Sequence, residues 1–310
     1  MITWDVKAAE QKAGIGMWGG KNVRLDVYKQ NAEIFREGCY QTDSGKVVQI
    51  TVEDPMLAKT RVYSKPFNVN DKRVITEKTT TAVINTDCMI LAREMLAEGL
   101  NPAVLNLADA YHACGFYHRG SRAQEESICR VSTLSRSLYQ LFEKKFADIV
   151  NVPFIGGGYP MDMRNGGIYS PDVTVFRDGN DWFRLIDEPY KLGIISLAAL
   201  DFNEKHGKNL DLQAADGGFT PEGFTIMQEK IRTIYRIALD NGHDSLVLGA
   251  FGCGAFRLPA DVVAKIFYDV LQDPEFKNKF KAVRFAILEK EGRTPIGPRG
   301  KFAPFYQLFS

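Results

Sequence analysis

Short apolar runs without polar alternation, set between helix-length stretches, constrain this chain most. Thr81-Ala82-Val83-Ile84-Asn85 and Ala103-Val104-Leu105-Asn106 are two such runs, and Val74-Ile75 precedes them. Met89 to Leu100, between the two, reads as a helix that stops at Gly99. A strand wet on one face alternates apolar and polar residues, whereas a strand covered on both faces does not. Buried parallel strands are of the second kind. The pattern recurs at Val173–Phe176, Leu192–Ser196, Ser245–Gly249 and Val283–Leu288. Helices are expected between them over 124–150, 221–240 and 259–271. The predicted fold class is α/β: a mixed, mostly parallel sheet with helices on both faces. Ile231, Ile234, Tyr235 and Ala238 follow helical spacing and are read as core.

The first 45 residues read as helix, at Ala8–Ala13 and Val23–Glu37, closed by Gly38 and Gly45. A short alternating strand, Val47–Val52, follows, and 55–70 is an irregular polar link. This divides the chain into an N-terminal helical extension over 1–72, packed on the core, and a main domain over 73–310.

Charge excludes some partners. Lys plus Arg number 39 against 38 Asp plus Glu, a formal net charge of +1. That balance supplies no long-range pull on nucleic acid or anionic lipid, so direct binding of either is not expected. No apolar run approaches a bilayer span, and the N-terminus lacks an apolar signal core. The five cysteines are scattered without a CxxC pair, so neither a disulfide framework nor a zinc ribbon is indicated. A reducing cytoplasm is the expected compartment.

In doubly wound sheets ligands bind beyond the carboxyl ends of the strands, so three strand-ending loops are the candidate chemistry. In Asn85-Thr86-Asp87, the Asp87 carboxylate either accepts from an exocyclic amine or caps the next helix. The second loop runs from Asn106 through Asp109, Cys114, Gly115 and Phe116 to Ser121-Arg122-Ala123-Gln124-Glu125-Glu126. Ser121 with Gln124 fits a capping box, which puts both glutamates in a first helical turn. They either complement the helix dipole or include a general acid shielded in a cleft. The third loop is Gly249-Ala250-Phe251-Gly252-Cys253-Gly254-Ala255-Phe256. Its small residues let backbone N–H groups approach phosphate oxygens, but it matches neither the dinucleotide fingerprint nor the P-loop.

Together these segments resemble a macrodomain, specifically the microbial type of poly(ADP-ribose) glycohydrolase. The resemblance is carried by Arg119–Arg130 with Ser132-Thr133-Leu134, by Ile168–Val173 with Phe176-Arg177-Asp178, and by Leu246–Phe256. It implies a macrodomain-like fold, an ADP-ribose cleft, and hydrolysis of a glycosidic bond without a cofactor. It also implies Glu126 as the catalytic acid and Glu125 as the holder of ribose hydroxyls. Gly252, Cys253, Gly254, Ala255 and Phe256 would wrap the diphosphate, and Asp87 would face adenine. Asn106, Asp109, Gly115, Phe116 and Gln124 complete the implied substrate contacts. The partner is then ADP-ribose or an ADP-ribosylated protein.

The sequence also departs from the family. Three glycines are expected ahead of the glutamates, and here that triplet reads Cys114-Gly115-Phe116, with Asp109 where asparagine is usual. Retention of Glu125 and Glu126 favours an enzyme, and loss of two glycines favours an ADP-ribose reader. A hydrolase of mono-ADP-ribosylated protein or of a free ADP-ribose derivative is the third reading. His112, Cys114 and His118 are spaced poorly for zinc, and no metal is expected.

Overall fold

The computed structural model describes residues 1–14, 19–50, 55–69, 77–289 and 300–310. Helices α1 (Val6–Gly14) and α2 (Gly19–Glu37) precede an antiparallel pair, β1 (Cys39–Gln41) with β2 (Val47–Gln49). A short helix, α3 (Pro55–Lys59), leads to β3 (Arg61–Tyr63), then β4 (Thr80–Ile84), α4 (Cys88–Ala97) and β5 (Pro102–Leu107). Three helices follow, α5 (Gln124–Val131), α6 (Leu134–Tyr139) and α7 (Lys144–Ile149), and then two long strands, β6 (Gly167–Asp178) and β7 (Arg184–Leu197). The chain continues with α8 (Pro221–Asp240), β8 (Ser245–Leu248), α9 (Ala260–Gln272), β9 (Ala282–Ala286) and α10 (Phe302–Phe309). Val74-Ile75, the division after residue 72 and the end of the expected Val47–Val52 strand lie outside the described residues.

The chain forms two compact units. The first comprises Met1–Val62, Ala108–Pro160 and Ser170–Ile194, so the N-terminal helices share a unit with the glutamate loop. Here β6 lies between β3 and β7. Residues 179–183 joining β6 to β7 are too few for a parallel crossover, so the pair is an antiparallel hairpin. Helix α2 buries Val23, Val27, Ile34 and Phe35 on one face, and Phe35 meets Phe176 edge-on at 5.8 Å. Asn31, on that same face, is 1% exposed but fully engaged. Its amide donates to Tyr117 Oη at 2.8 Å and Arg130 O at 2.9 Å, and its oxygen accepts from Arg177 Nε at 2.8 Å. One side chain thus ties α2 to α5 and β6.

The single helix expected over 124–150 is three helices. Ser132 leaves the helix in extended conformation and bridges Val175, while its hydroxyl bonds back to Ile128 O at 2.7 Å. Thr133 N–H donates to Thr174 O at 2.9 Å, and Thr174 N–H donates to Thr133 Oγ1 at 3.0 Å. Hydroxyl side chains offer the backbone an alternative to helical bonding, and here β6 takes it up. Residues 39–41, expected within the helical region, are strand because they pair with β2.

The second unit comprises Tyr63–Leu107, Met161–Tyr169 and Ile195–Ser310. Its strands run β5–β8–β9–β4, all parallel, with Ala103 opposite Leu246, Leu246 opposite Val283, and Val83 opposite Phe285. Side chains alternate across a sheet. Leu246, Leu248, Val283 and Phe285 join the core beneath α8, α9 and α10, where Phe267 meets Phe285 at 5.4 Å. Val104 and Val247 point to the other face, over which α4 packs on β5, β8 and β9. Ile231, Ile234, Tyr235 and Ala238 are all fully buried, as their spacing predicts.

Candidate functional site

In the first unit, α5 opens after Ala123, whose backbone is extended and which supplies no side-chain cap. The capping box expected from Ser121 and Gln124 is not formed, and Gln124 is the half-buried first residue of the helix. The glutamates do not serve as a solvated dipole complement either. Glu125 is 3% exposed and Glu126 5% exposed, and burying a carboxylate is unfavourable unless it is hydrogen-bonded. The bonds come from the loop after β5. Asp109 N–H donates to Glu125 Oε2 at 2.9 Å, and Phe116 N–H donates to Glu126 Oε1 at 3.1 Å. Glu126 Oε2 is buried and has no hydrogen-bond partner among the described residues.

Gly115 explains why this loop reaches the glutamates. It has φ +52°, and a β-carbon there would stand 2.7 Å from Glu126 Oε1 and 3.3 Å from Glu125 Oε2. Only glycine fits both the conformation and the approach. Cys114 before it has φ +58°, a conformation uncommon for a side-chain-bearing residue. The Asp109 side chain organises the loop: its Oδ1 accepts from Tyr111 N–H at 2.7 Å and His112 N–H at 2.9 Å. The Phe116 ring is half-buried, 5.2 Å from His112, with the Arg119 guanidinium 5.1 Å from its centre.

Burial decides the thiols. Cys114 is fully buried and hydrogen-bonded to Cys129, and burial pushes its thiol well up, so it is not a nucleophile. No group of three His, Cys, Asp or Glu side chains among the described residues is arranged to hold a metal ion.

Arg130 and Tyr159 also feel the charge of the glutamates, which the sequence does not indicate. Arg130, one turn after Glu126, is 1% exposed, and burial lowers it to about 10 against the pull of Tyr117 and Glu126. The buried Tyr159 phenol is pushed up by burial first and by the Glu125 charge second. Its distance in sequence from the glutamates left no signal for it.

In the second unit, the loop after β8 turns at Gly252, with φ +75°. A β-carbon on Gly252 would collide with Leu258 Cδ1 and stand 2.7 Å from Ala199 Cβ. Gly254 differs, with no atom within 4 Å of its would-be β-carbon. Cys253 is 1% exposed and packs inward, its thiol raised by burial. Ala255 is exposed, and its carbonyl accepts from Asn203 Nδ2 at 2.8 Å. Phe256 is half-buried beside His206, which pairs with Asp201 at 2.8 Å. Asn106, fully buried near the end of β5, donates to Ser196 Oγ at 2.9 Å. Asp87 caps α4, accepting from Met89 N–H at 2.8 Å. Asp87, Asn106 and the Gly252 loop all lie at the carboxyl ends of parallel strands.

Three solved structures, of two proteins, match over most of their length. A poly(ADP-ribose) glycohydrolase structure from Thermomonospora curvata is 26% identical, with a TM-score of 0.74, and the match covers 93% of this chain and 100% of that one. The same enzyme bound to the inhibitor ADP-HPD is 27% identical, TM-score 0.71, over 92% and 99%. The glycohydrolase from Deinococcus radiodurans in complex with ADP-ribose is 25% identical, TM-score 0.60, over 81% and 94%. No curated protein matches by sequence search. The family model described as "Microbial-type PARG, catalytic domain" matches residues 29–178, which include the glutamates, their loop and all of β6. The chain is therefore similar to the microbial-type poly(ADP-ribose) glycohydrolases, in fold along most of its length and in sequence over residues 29–178.

Proposed function

We propose that the chain hydrolyses the ribose–ribose linkage of poly(ADP-ribose), with Glu126 as general acid and then general base. The observation that carries this reading is the Glu126 carboxyl: buried, anchored by one oxygen to the Phe116 N–H, and unpartnered at the other. In the acid form Glu126 gives its proton to the departing hydroxyl oxygen as the anomeric carbon–oxygen bond breaks. The carboxylate left behind takes a proton from water, and the oxygen of that water bonds to the oxocarbenium-like carbon. The proton is back on Glu126 and no cofactor is consumed. Glu125, fixed by the Asp109 N–H, accepts from a ribose hydroxyl.

The remaining roles follow the accessible groups. The Gly252–Phe256 backbone receives the diphosphate, with Gly254 as its open point. Asp87, which caps α4 at the carboxyl end of β4, is assigned to the adenine amine. Asp109 uses Oδ1 within its own loop, which leaves Oδ2 for a ribose hydroxyl. Among the described residues no helix is long and apolar enough to cross a membrane. We assign the chain to the cytoplasm, acting on ADP-ribosylated protein.

A second reading has its own support. Cys114 and Phe116 flank Gly115 with bulk, which favours an ADP-ribose reader or a hydrolase of shorter substrates. Glu126→Gln separates these readings, because it keeps size and one hydrogen-bonding oxygen but cannot donate a carboxylic proton. Polymer turnover should fall about 10²- to 10⁴-fold with ADP-ribose affinity little changed. Binding without release from either polymer or mono-ADP-ribosylated protein, in wild type and variant alike, would leave only the reader.

A further inference from the structure

Beside the glutamate loop, the first unit has a pocket that the roles above do not use. Its volume is about 230 Å³, and its walls include Gly115, Phe116, Arg119, Phe142, Lys145 and Phe146. The rings make a connected surface. Phe142 stacks on Phe146 at 5.5 Å with an interplanar angle of 26°, and His118 lies 5.1 Å from Phe146. Two cations stand over these rings, the Arg119 guanidinium 5.1 Å from Phe116 and the Lys145 ammonium 5.0 Å from Phe146. Lys145 also pairs with Glu143 at 2.8 Å, so one negative charge offsets two positive ones. Among the side chains that line the pocket the balance is positive. After burial, Arg119, Lys145 and His112 are what hold His118 below the ordinary histidine value, with Glu143 opposing them.

Flat aromatic faces rimmed by cations hold a nucleobase by stacking and a phosphate by charge. The volume falls below the ~300 Å³ at which drug-sized sites begin, so one ring system with its phosphate fits better than a dinucleotide. Gly115 and Phe116, which line the pocket, are also the residues that approach and hold Glu126. An occupant therefore sits next to the carboxyl assigned to the scissile bond. We propose that this pocket is a subsite for a second nucleotide unit, a nucleoside monophosphate moiety of the substrate adjoining the ADP-ribose to be released. The identity of that occupant rests on the glycohydrolase reading, since an internal link of the polymer has a nucleotide on each side. The binding chemistry of the pocket does not.

The test uses the full chain, with adenosine 5′-monophosphate as probe, titrated calorimetrically into protein saturated with ADP-ribose. One further equivalent should bind, more tightly than adenosine or inorganic phosphate does. Lys145→Ala and Phe146→Ala should each weaken that event by roughly ten- to a hundredfold. The Lys145 side chain is 69% exposed, so its loss leaves the fold in place, and circular dichroism checks the Phe146 variant. The inference is overturned if the probe only competes with ADP-ribose, or if the second event ignores both substitutions. Should ADP-ribose itself fail to bind, the probe added alone still reads the pocket through Lys145→Ala. In that case the glycohydrolase reading falls, and with it the identity of the occupant, while Lys145-dependent binding of the probe still makes the pocket a nucleotide site.

Discussion

Gly115 and Glu126 are so close that a β-carbon on the glycine would lie 2.7 Å from the carboxylate Oε1. The loop can hold the carboxylate through the Phe116 N–H only because the residue before Phe116 has no side chain. Cys114 and Phe116 on either side of that glycine are compatible with this contact. A side chain between them is not.

Gly115→Ala is therefore expected to be costly in two ways. Alanine at φ +52° is strained by about 1–2 kcal/mol, and its methyl must displace the Glu126 carboxyl. Turnover should drop at least tenfold and the melting temperature should fall. A variant with wild-type kinetics would show that Glu126 can act from another position.

Phe116→Gly keeps the N–H that holds Glu126 and removes the ring beside His112 and Arg119. Activity on polymer relative to mono-ADP-ribosylated protein should rise if that ring restricts access. An unchanged ratio, measured with both substrates, would assign the ring to packing.

The two loop glycines of the second unit should behave differently. Gly252→Val meets Leu258 and Ala199, so it should lower thermal stability whatever is bound. Gly254→Val meets no protein atom within 4 Å, so the protein should melt as wild type yet bind ADP-ribose more weakly. Calorimetric affinity unchanged in Gly254→Val would remove this loop from the diphosphate site.

Lys230 gives a pH signature. It is 3% exposed, and burial lowers its ammonium from 10.5 to about 8, with Asp162 pulling the other way. The folded state thus releases the proton more readily than the unfolded chain. Between pH 8 and 10.5 the unfolded state binds more protons, so this group's contribution to stability rises with pH. Below pH 8 its penalty is full and constant. Lys230→Met should stabilise the protein at pH 7 by up to ~3 kcal/mol, a gain that fades toward pH 10.5. Denaturant unfolding of both proteins across that range measures it, and a pH-independent difference would refute the assignment.

Much of the second unit was legible because its signals are local. Pro221–Asp240 is a helix at its expected bounds, and Ser245–Leu248 is a strand whose unalternating apolar residues are buried on both faces. Periodicity and turn residues carry such information within a window of a few residues. The loops bearing Asp87, Gly115 and Gly252 were legible from their position at strand ends. What residues far away do to them was not. The expected helix over 124–150 broke because Thr133 found Thr174, a partner 41 positions away. Asp87 proved to be a cap, and Ser121 did not. Gly252 was read as room for a ligand, yet its missing side chain makes room for Leu258 and Ala199. Sequence by itself determined elements such as the Pro221–Asp240 helix and the Ser245–Leu248 strand, since those depend on neighbours along the chain. Tertiary structure decided which glycine serves a carboxylate, which serves a leucine and which stays open, because only packing brings the second atom of each contact into place.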